Sequence, residues 1–236
     1  MGRHDGERRE TTAERSLRPV NGRRAPVAPP IGTSFATQEC PHAATKPGIL
    51  EQYEGGAVKG IMFSEFVEWV ERTWTPDTAD QMLDATELAS MGAYTGVGTY
   101  DHREMLALVT TLARLTEQPA SDLVRGFGRD LFPRLAQGHP DTLAHADDAF
   151  ALLNRLEAHI HPEVRKLYPG AEVPSFSARS DDRSMQLTYR SPRHLADLAE
   201  GLIEGCAAWF DEALTIRRQE QDDGSTCFHI ERPRGG

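Results

Sequence analysis

The pentapeptide Tyr189-Arg190-Ser191-Pro192-Arg193, together with His161 upstream, supplies two hydroxyls, a guanidinium and an imidazole. Tyr189, Ser191 and Arg193 alternate, and on an extended strand alternation puts three side chains on one face. Arg193 would offer a carboxylate a charge-assisted, bidentate pair, and the two hydroxyls would add neutral donors. A neutral imidazole is a metal ligand. An anion clamp and a metal-binding nitrogen are together the groups that hold a haem, by its two carboxylates and by its iron.

The pentapeptide also has a purely architectural reading. Ser191 before Pro192 is an ordinary helix start, with Ser at the N-cap and Pro at the first helical position, and Tyr189 suits a strand. The two readings are compatible, because a strand ending at Ser191 could share its hydroxyl.

The apolar pattern sets out the elements that must position these groups. From Val58 onward Ile61, Met62, Phe63, Phe66, Val67, Trp69 and Val70 recur at helical intervals until Thr73–Pro76. A short helix follows over Thr78–Leu88. Gly92–Tyr100 is a loop by its glycines, without the strand and lysine of a nucleotide loop. Asp101 caps a helix to about Glu117, and Ser121 opens one carrying Leu123, Phe127, Leu131 and Leu135, which Pro133 should kink or shorten. Leu143–Leu167 reads as a long helix in which Pro162, next to His161, predicts a local irregularity. After Pro174 the period shortens to two. Strands are expected over Ser175–Ser180 and Ser184–Arg190, a helix over Leu195–Phe210, and a hairpin of Ala213–Glu220 and Ser225–Arg232 around Asp222-Asp223-Gly224. Helices first and an antiparallel sheet later give an α+β class.

Composition narrows the partners. The 236 residues carry a formal net charge of −10, and lysine occurs only at Lys46, Lys59 and Lys166. No basic stripe points to nucleic acid. Residues 1–57 begin Arg-rich, turn Pro- and Gly-containing near Arg24–Gly32, and lack apolar periodicity, so they are expected to be largely disordered. They hold 8 basic and 7 acidic residues, which leaves 18 and 29 to the folded remainder, 58–236. No apolar run suits a secretory signal or the roughly 20 residues of a membrane span. Three well-separated cysteines, Cys40, Cys206 and Cys227, form no disulfide framework, and a cytoplasmic location is expected.

With these residues in view, the stretch from Val58 to about Glu231 resembles the H-NOX family, the haem nitric oxide/oxygen-binding domains related to the haem domain of soluble guanylate cyclase. Four places carry the resemblance: Val58-Lys59-Gly60-Ile61, the run Ile160-His161-Pro162-Glu163-Val164-Arg165-Lys166-Leu167-Tyr168-Pro169, Pro174, and Tyr189-x-Ser191-x-Arg193 followed by Leu202-Ile203-Glu204-Gly205. The resemblance implies a helical subdomain followed by a helix-plus-sheet subdomain that encloses haem b. It implies His161 as proximal iron ligand, Tyr189, Ser191 and Arg193 on the haem propionates, and Pro174 pressed against the porphyrin.

Some oxygen-binding members carry a tyrosine at the position of Leu198. The other positions that would face the gas, Met62, Phe66, Leu131, Phe132, Leu135 and Leu202, are apolar too. A distal side without a hydrogen-bond donor favours nitric oxide over oxygen. The resemblance further implies that nitric oxide weakens the iron–His161 bond and that the resulting shift is read by another protein. No kinase, cyclase or phosphodiesterase segment is recognisable, so a signalling histidine kinase or a cyclic-dinucleotide enzyme acting in trans is the expected partner, and the domain itself is not an enzyme.

Two other readings start from the same residues. His159, His161 and Glu163 could form a metal-dependent hydrolase site, although His-x-His supplies two ligands and no general base is evident. The domain could also be a haem-free interaction module. Smaller signals remain: Cys40-Pro41-His42 is similar to a haem-responsive Cys-Pro motif, and Cys206, Cys227 or His229 could serve a second metal.

Overall fold

A computed structural model describes residues 56–233. Of the N-terminal stretch 1–57 only Gly56 and Ala57 fall within it, and Cys40-Pro41-His42 lies outside the described residues. Strand β1 (Ala57–Lys59) leads into α1 (Gly60–Thr73) and α2 (Pro76–Asp84). Strand β2 (Thr99–Asp101) then pairs antiparallel with β1, Val58 opposite Tyr100. The expected loop therefore ends two residues early in a strand. Three-residue strands carry too little alternation to be read from sequence.

Asp101 caps α3 (His102–Thr116) by accepting from the Arg103 amide at 2.9 Å, as its position predicts. Helix α4 (Ala120–Gly138) continues through Pro133 rather than being shortened there. Proline withdraws the hydrogen bond to the carbonyl four residues back, here that of Arg129. This carbonyl lies against Gly205, close enough that a Cβ there would sit 2.6 Å from it.

The expected long helix is instead a series. It comprises α5 (Pro140–Leu143), α6 (Ala149–Asn154), a π-helical turn over Leu156–Ile160, and α7 (His161–Leu167). The irregularity expected at His161 thus takes the form of a widened turn. Pro162 cannot donate to Ala158, and inserting a wide turn relieves the crowding of that carbonyl.

Strands β3 (Ser175–Ser180), β4 (Ser184–Arg190), β5 (Thr215–Glu220) and β6 (Thr226–Glu231) form an antiparallel sheet in the order β3-β4-β6-β5, and α8 (Ala196–Trp209) connects its two hairpins. Period-two patterning decides its buried face: Met185, Leu187 and Tyr189 of β4 point inward with Phe228 and Ile230 of β6. The class is α+β, as the sequence order predicts.

Two apolar cores result. One gathers α6, the sheet face and Ala196, Ala199, Ile203 and Cys206 of α8. The other gathers Phe63, Phe66, Trp69 and Val70 of α1 with α2, α3 and Leu123, Phe127 and Leu131 of α4, and Leu198 and Leu202 of α8 pack on it. Helix α8 thus serves both cores from different faces. It meets α4 very closely, since a Cβ on Gly201 would lie 2.0 Å from the Arg125 carbonyl oxygen. Arg125 pairs with Glu200 and Glu204 across the same contact.

Candidate haem cavity

A cavity of ≈ 380 Å³ opens between the two cores, lined from β1, α1, α4, α6, α7, the sheet and α8. Most of its wall is aliphatic or aromatic. Its polar lining includes His161, Tyr189, Ser191 and Arg193, with Lys59, His139, Glu163, Tyr168 and Glu172 also on the wall.

His161 begins α7 and is 8% exposed. Its Nδ1 is sealed from solvent and lies 3.5 Å from Glu157 Oε2, beyond hydrogen-bond reach but close enough for attraction. Burial pushes the imidazole pKa down from its ordinary value, opposed by the Glu157 carboxylate and the main chain at Pro174. The ring is therefore held neutral at pH 7, the form that ligates a metal. With Nδ1 turned to a carboxylate, Nε2 is the nitrogen left to the cavity, the usual division of labour in a metal-bound histidine. Glu157 is itself placed by the Phe176 amide at 3.0 Å. The imidazole, Phe176 and Tyr189 form a row of rings with successive centroids 5.5 Å apart. His159 is exposed.

Tyr189, Ser191 and Arg193 all line the cavity, but not from one strand. β4 ends at Arg190, and Ser191–His194 is a turn closed by the His194 amide on the Ser191 carbonyl. Alternation therefore gives way to a turn in which His194 has φ 47°. Nor does Ser191 cap a helix: α8 starts at Ala196, and the Ser191 hydroxyl instead accepts from the Arg193 amide at 3.1 Å. That contact leaves the hydroxyl proton available for donation. The Tyr189 hydroxyl accepts from the Leu195 amide at 3.1 Å. Arg193 donates to the Ala57 carbonyl at 2.7 Å and to Glu172 Oε2 at 2.5 Å, while its Nε is buried without a partner.

Pro174 lines the cavity just before β3, and Met62, Leu131, Phe132, Leu135, Leu198 and Leu202 line it from α1, α4 and α8. Phe66 does not. It is 1% exposed and packs edge-on to Phe127 within the helical core, one turn beyond Met62 on α1. None of the six lining residues carries a donor. Just past α4, His139 adds a second imidazole to the wall, and Phe132 rests edge-on against Trp209, centroids 6.5 Å apart.

The donor set fits a haem. A buried neutral imidazole can take the iron, and the orphaned Arg193 Nε, a donor costing about 1–3 kcal/mol if left unsatisfied, can take a carboxylate with the Ser191 hydroxyl beside it. The flat apolar ring suits the remaining wall. Among the described residues no group of three or more His, Cys, Asp or Glu is placed to hold a metal ion, so neither the hydrolase site nor a second metal at Cys206, Cys227 or His229 has a ligand set there. Glu163 pairs with Lys166 at 2.6 Å.

Glu157, Phe176, Glu172 and His139 were not anticipated as part of the site. Glu157 had a sequence signal, lying one helical turn before His161. The others reach the cavity through tertiary contacts alone.

The chain matches the haem-NO-binding family model over residues 59–218. Among solved structures, the H-NOX protein of Shewanella woodyi in its Fe(II)CO state is 42% identical, with 76% of this chain and 97% of that chain covered and a TM-score of 0.66. The Fe(II) unliganded H-NOX protein of K. algicida is 32% identical over 75% and 98%, TM-score 0.70. The Fe(II)NO form of the S. oneidensis protein is 27% identical over 75% and 100%, TM-score 0.69.

Proposed function

The chain belongs to the haem-NO-binding family of haem-based gas sensors, and on that premise we propose that it senses nitric oxide at a ferrous, five-coordinate haem b ligated by His161. The observation that carries this reading is the buried imidazole whose Nδ1 lies 3.5 Å from the Glu157 carboxylate, facing a cavity whose α1, α4 and α8 wall is wholly apolar. Residues 58–236 are assigned as the haem-binding domain.

Within it, Ser191 and Arg193 would hold the carboxylates, Tyr189 would fix the turn that presents them, and Pro174 would bear on the ring. When bound, the haem iron supplies an open coordination position for a diatomic gas. Met62, Leu131, Phe132, Leu135, Leu198 and Leu202 exclude water from that position and offer bound oxygen no stabilising donor. Nitric oxide needs no such donor, which sets the preference.

His161 sits at the junction of the π-helical turn and α7. A movement of its ring is passed through Phe176 to the sheet and through the backbone to α7, giving a partner two surfaces to tell apart. A histidine kinase or a cyclic-dinucleotide enzyme is the proposed reader. No described helix is long and apolar enough to cross a membrane. Cys206 and Cys227 are free thiols, which supports a reducing cytoplasm.

The test is the absorption spectrum of anaerobically reduced protein before and after nitric oxide. A five-coordinate ferrous spectrum that shifts on adding the gas is expected, with no stable oxygen complex in air. A His161→Gly variant with an unchanged spectrum and response would overturn the ligand, and a persistent oxygen complex would overturn the gas.

A further inference from the structure

Arg193 is engaged by its own chain before any ligand is considered. Its Nη2 donates both to the Ala57 carbonyl and to Glu172 Oε2, and Nη1 donates to the Glu172 carbonyl at 3.3 Å. Nε is buried with no partner. In a guanidinium, Nε–H and one Nη2–H lie parallel along a single edge, the edge that grips a carboxylate bidentately. A carboxylate arriving at the orphaned Nε must therefore contend for Nη2, whose two hydrogens already have acceptors.

We propose that Glu172 is an internal rival of the haem carboxylate for Arg193, so that it sets how firmly the domain keeps its haem. This rests on the reading of the cavity as a haem site. Of the two acceptors on Nη2, the Ala57 carbonyl is fixed by β1, whereas the Glu172 side chain is 63% exposed and can swing to water. Glu172 lies in the stretch between α7 and β3, at the cavity wall. Its carboxylate neutralises the guanidinium, which weakens Arg193 for any other anion. Orientation of Arg193 does not depend on that carboxylate, because the Ala57 and Glu172 carbonyls hold the same group from the main chain. Removing the charge while keeping the shape thus frees the clamp without unseating it.

The experiment measures haem transfer from ferric holoprotein to an excess of a globin haem acceptor, for the wild type, Glu172→Gln and Glu231→Gln. Glu231 is a partly exposed carboxylate paired with Arg217 at 2.7 Å, outside the cavity lining. Glu172→Gln is expected to slow transfer by about two- to five-fold, the size of a partly exposed ion pair, with the difference shrinking at high salt. Glu231→Gln should leave the rate unchanged. With haem dimethyl ester, which has no carboxylate to compete, the effect of Glu172→Gln should vanish. Faster transfer in Glu172→Gln, an equal slowing in Glu231→Gln, or the same slowing with the ester would each overturn the rivalry. A wild type with no Soret band after reconstitution would overturn the haem site itself; a normal Soret band with unaltered transfer would overturn only the role of Glu172.

Discussion

On the proposed nitric oxide reading, Leu198 is the residue on which gas selectivity would turn. It lines the cavity from α8 and belongs to the packing of the helical core, so a change there acts on the pocket while leaving the sheet alone. Leu198→Tyr would place a hydroxyl among the α1, α4 and α8 lining residues, none of which has one, and a donor stabilises polarised oxygen far more than nitric oxide. A ferrous–oxygen spectrum persisting in air is the expected outcome for that variant, read against rapid oxidation of the wild type. At this scale much of the polar lining of the candidate cavity was legible. His161, Tyr189, Ser191 and Arg193 stood out because imidazole, hydroxyl and guanidinium groups are chemically distinctive and locally spaced. Glu157, Phe176 and Glu172 did not, since a carboxylate or a ring announces nothing until tertiary contact places it. Phe66 shows the converse limit: one helical turn from Met62, it satisfies the same pattern yet spends its ring on Phe127.

Among the elements, the α4–α8 crossing is the most demanding. Gly201 admits the Arg125 carbonyl at a distance no side chain would allow, and Gly128 does the same for the Leu198 carbonyl, where a Cβ would lie 2.6 Å away. Backbone carbonyls cannot swing aside, so Gly201→Ala must force the helices apart. A loss of about 1–3 kcal/mol is expected, measured by urea denaturation of holoprotein. A looser haem should accompany it, because both helices line the cavity. The helices and strands themselves were largely readable from periodicity and caps, including the Asp101 cap and the existence, though not the form, of an irregularity beside Pro162. What periodicity missed was short or context-dependent. The β1–β2 pair is three residues long, and the break between α5 and α6 falls where apolar residues continue on both sides.

For the molecule as a whole, the end of the last strand is a tie-point. Arg232 reaches Asp148 at 2.9 Å, Glu212 at 3.0 Å and the Asp182 carbonyl at 2.9 Å, and its guanidinium covers the Phe150 ring. Asp148 caps α6 as well, and the Ala151 amide, with Arg232 in support, holds its carboxyl below the ordinary carboxylate value of 3.8. A carboxyl depressed in the folded state binds protons more readily when unfolded. Its contribution is therefore full above the unfolded value and lost as pH falls through the folded one. Asp148→Asn keeps a capping oxygen but removes the charge, so its stability should fall less steeply than that of the wild type as pH drops below about 4. Asp148→Ala, which removes the cap too, should cost about 1 kcal/mol at neutral pH, seen in the urea midpoint.

The placement of Trp209 against Phe132 has a practical consequence. An indole one ring away from the cavity wall is within energy-transfer range of any strongly absorbing macrocycle inside it. Trp69 and Trp74, ring to ring at 5.3 Å, report from the other core. The protein therefore carries its own optical gauge of cofactor occupancy. Tryptophan emission should be quenched in the holoprotein and recover as haem departs, and a Trp209→Phe variant should separate the signal of one core from that of the other.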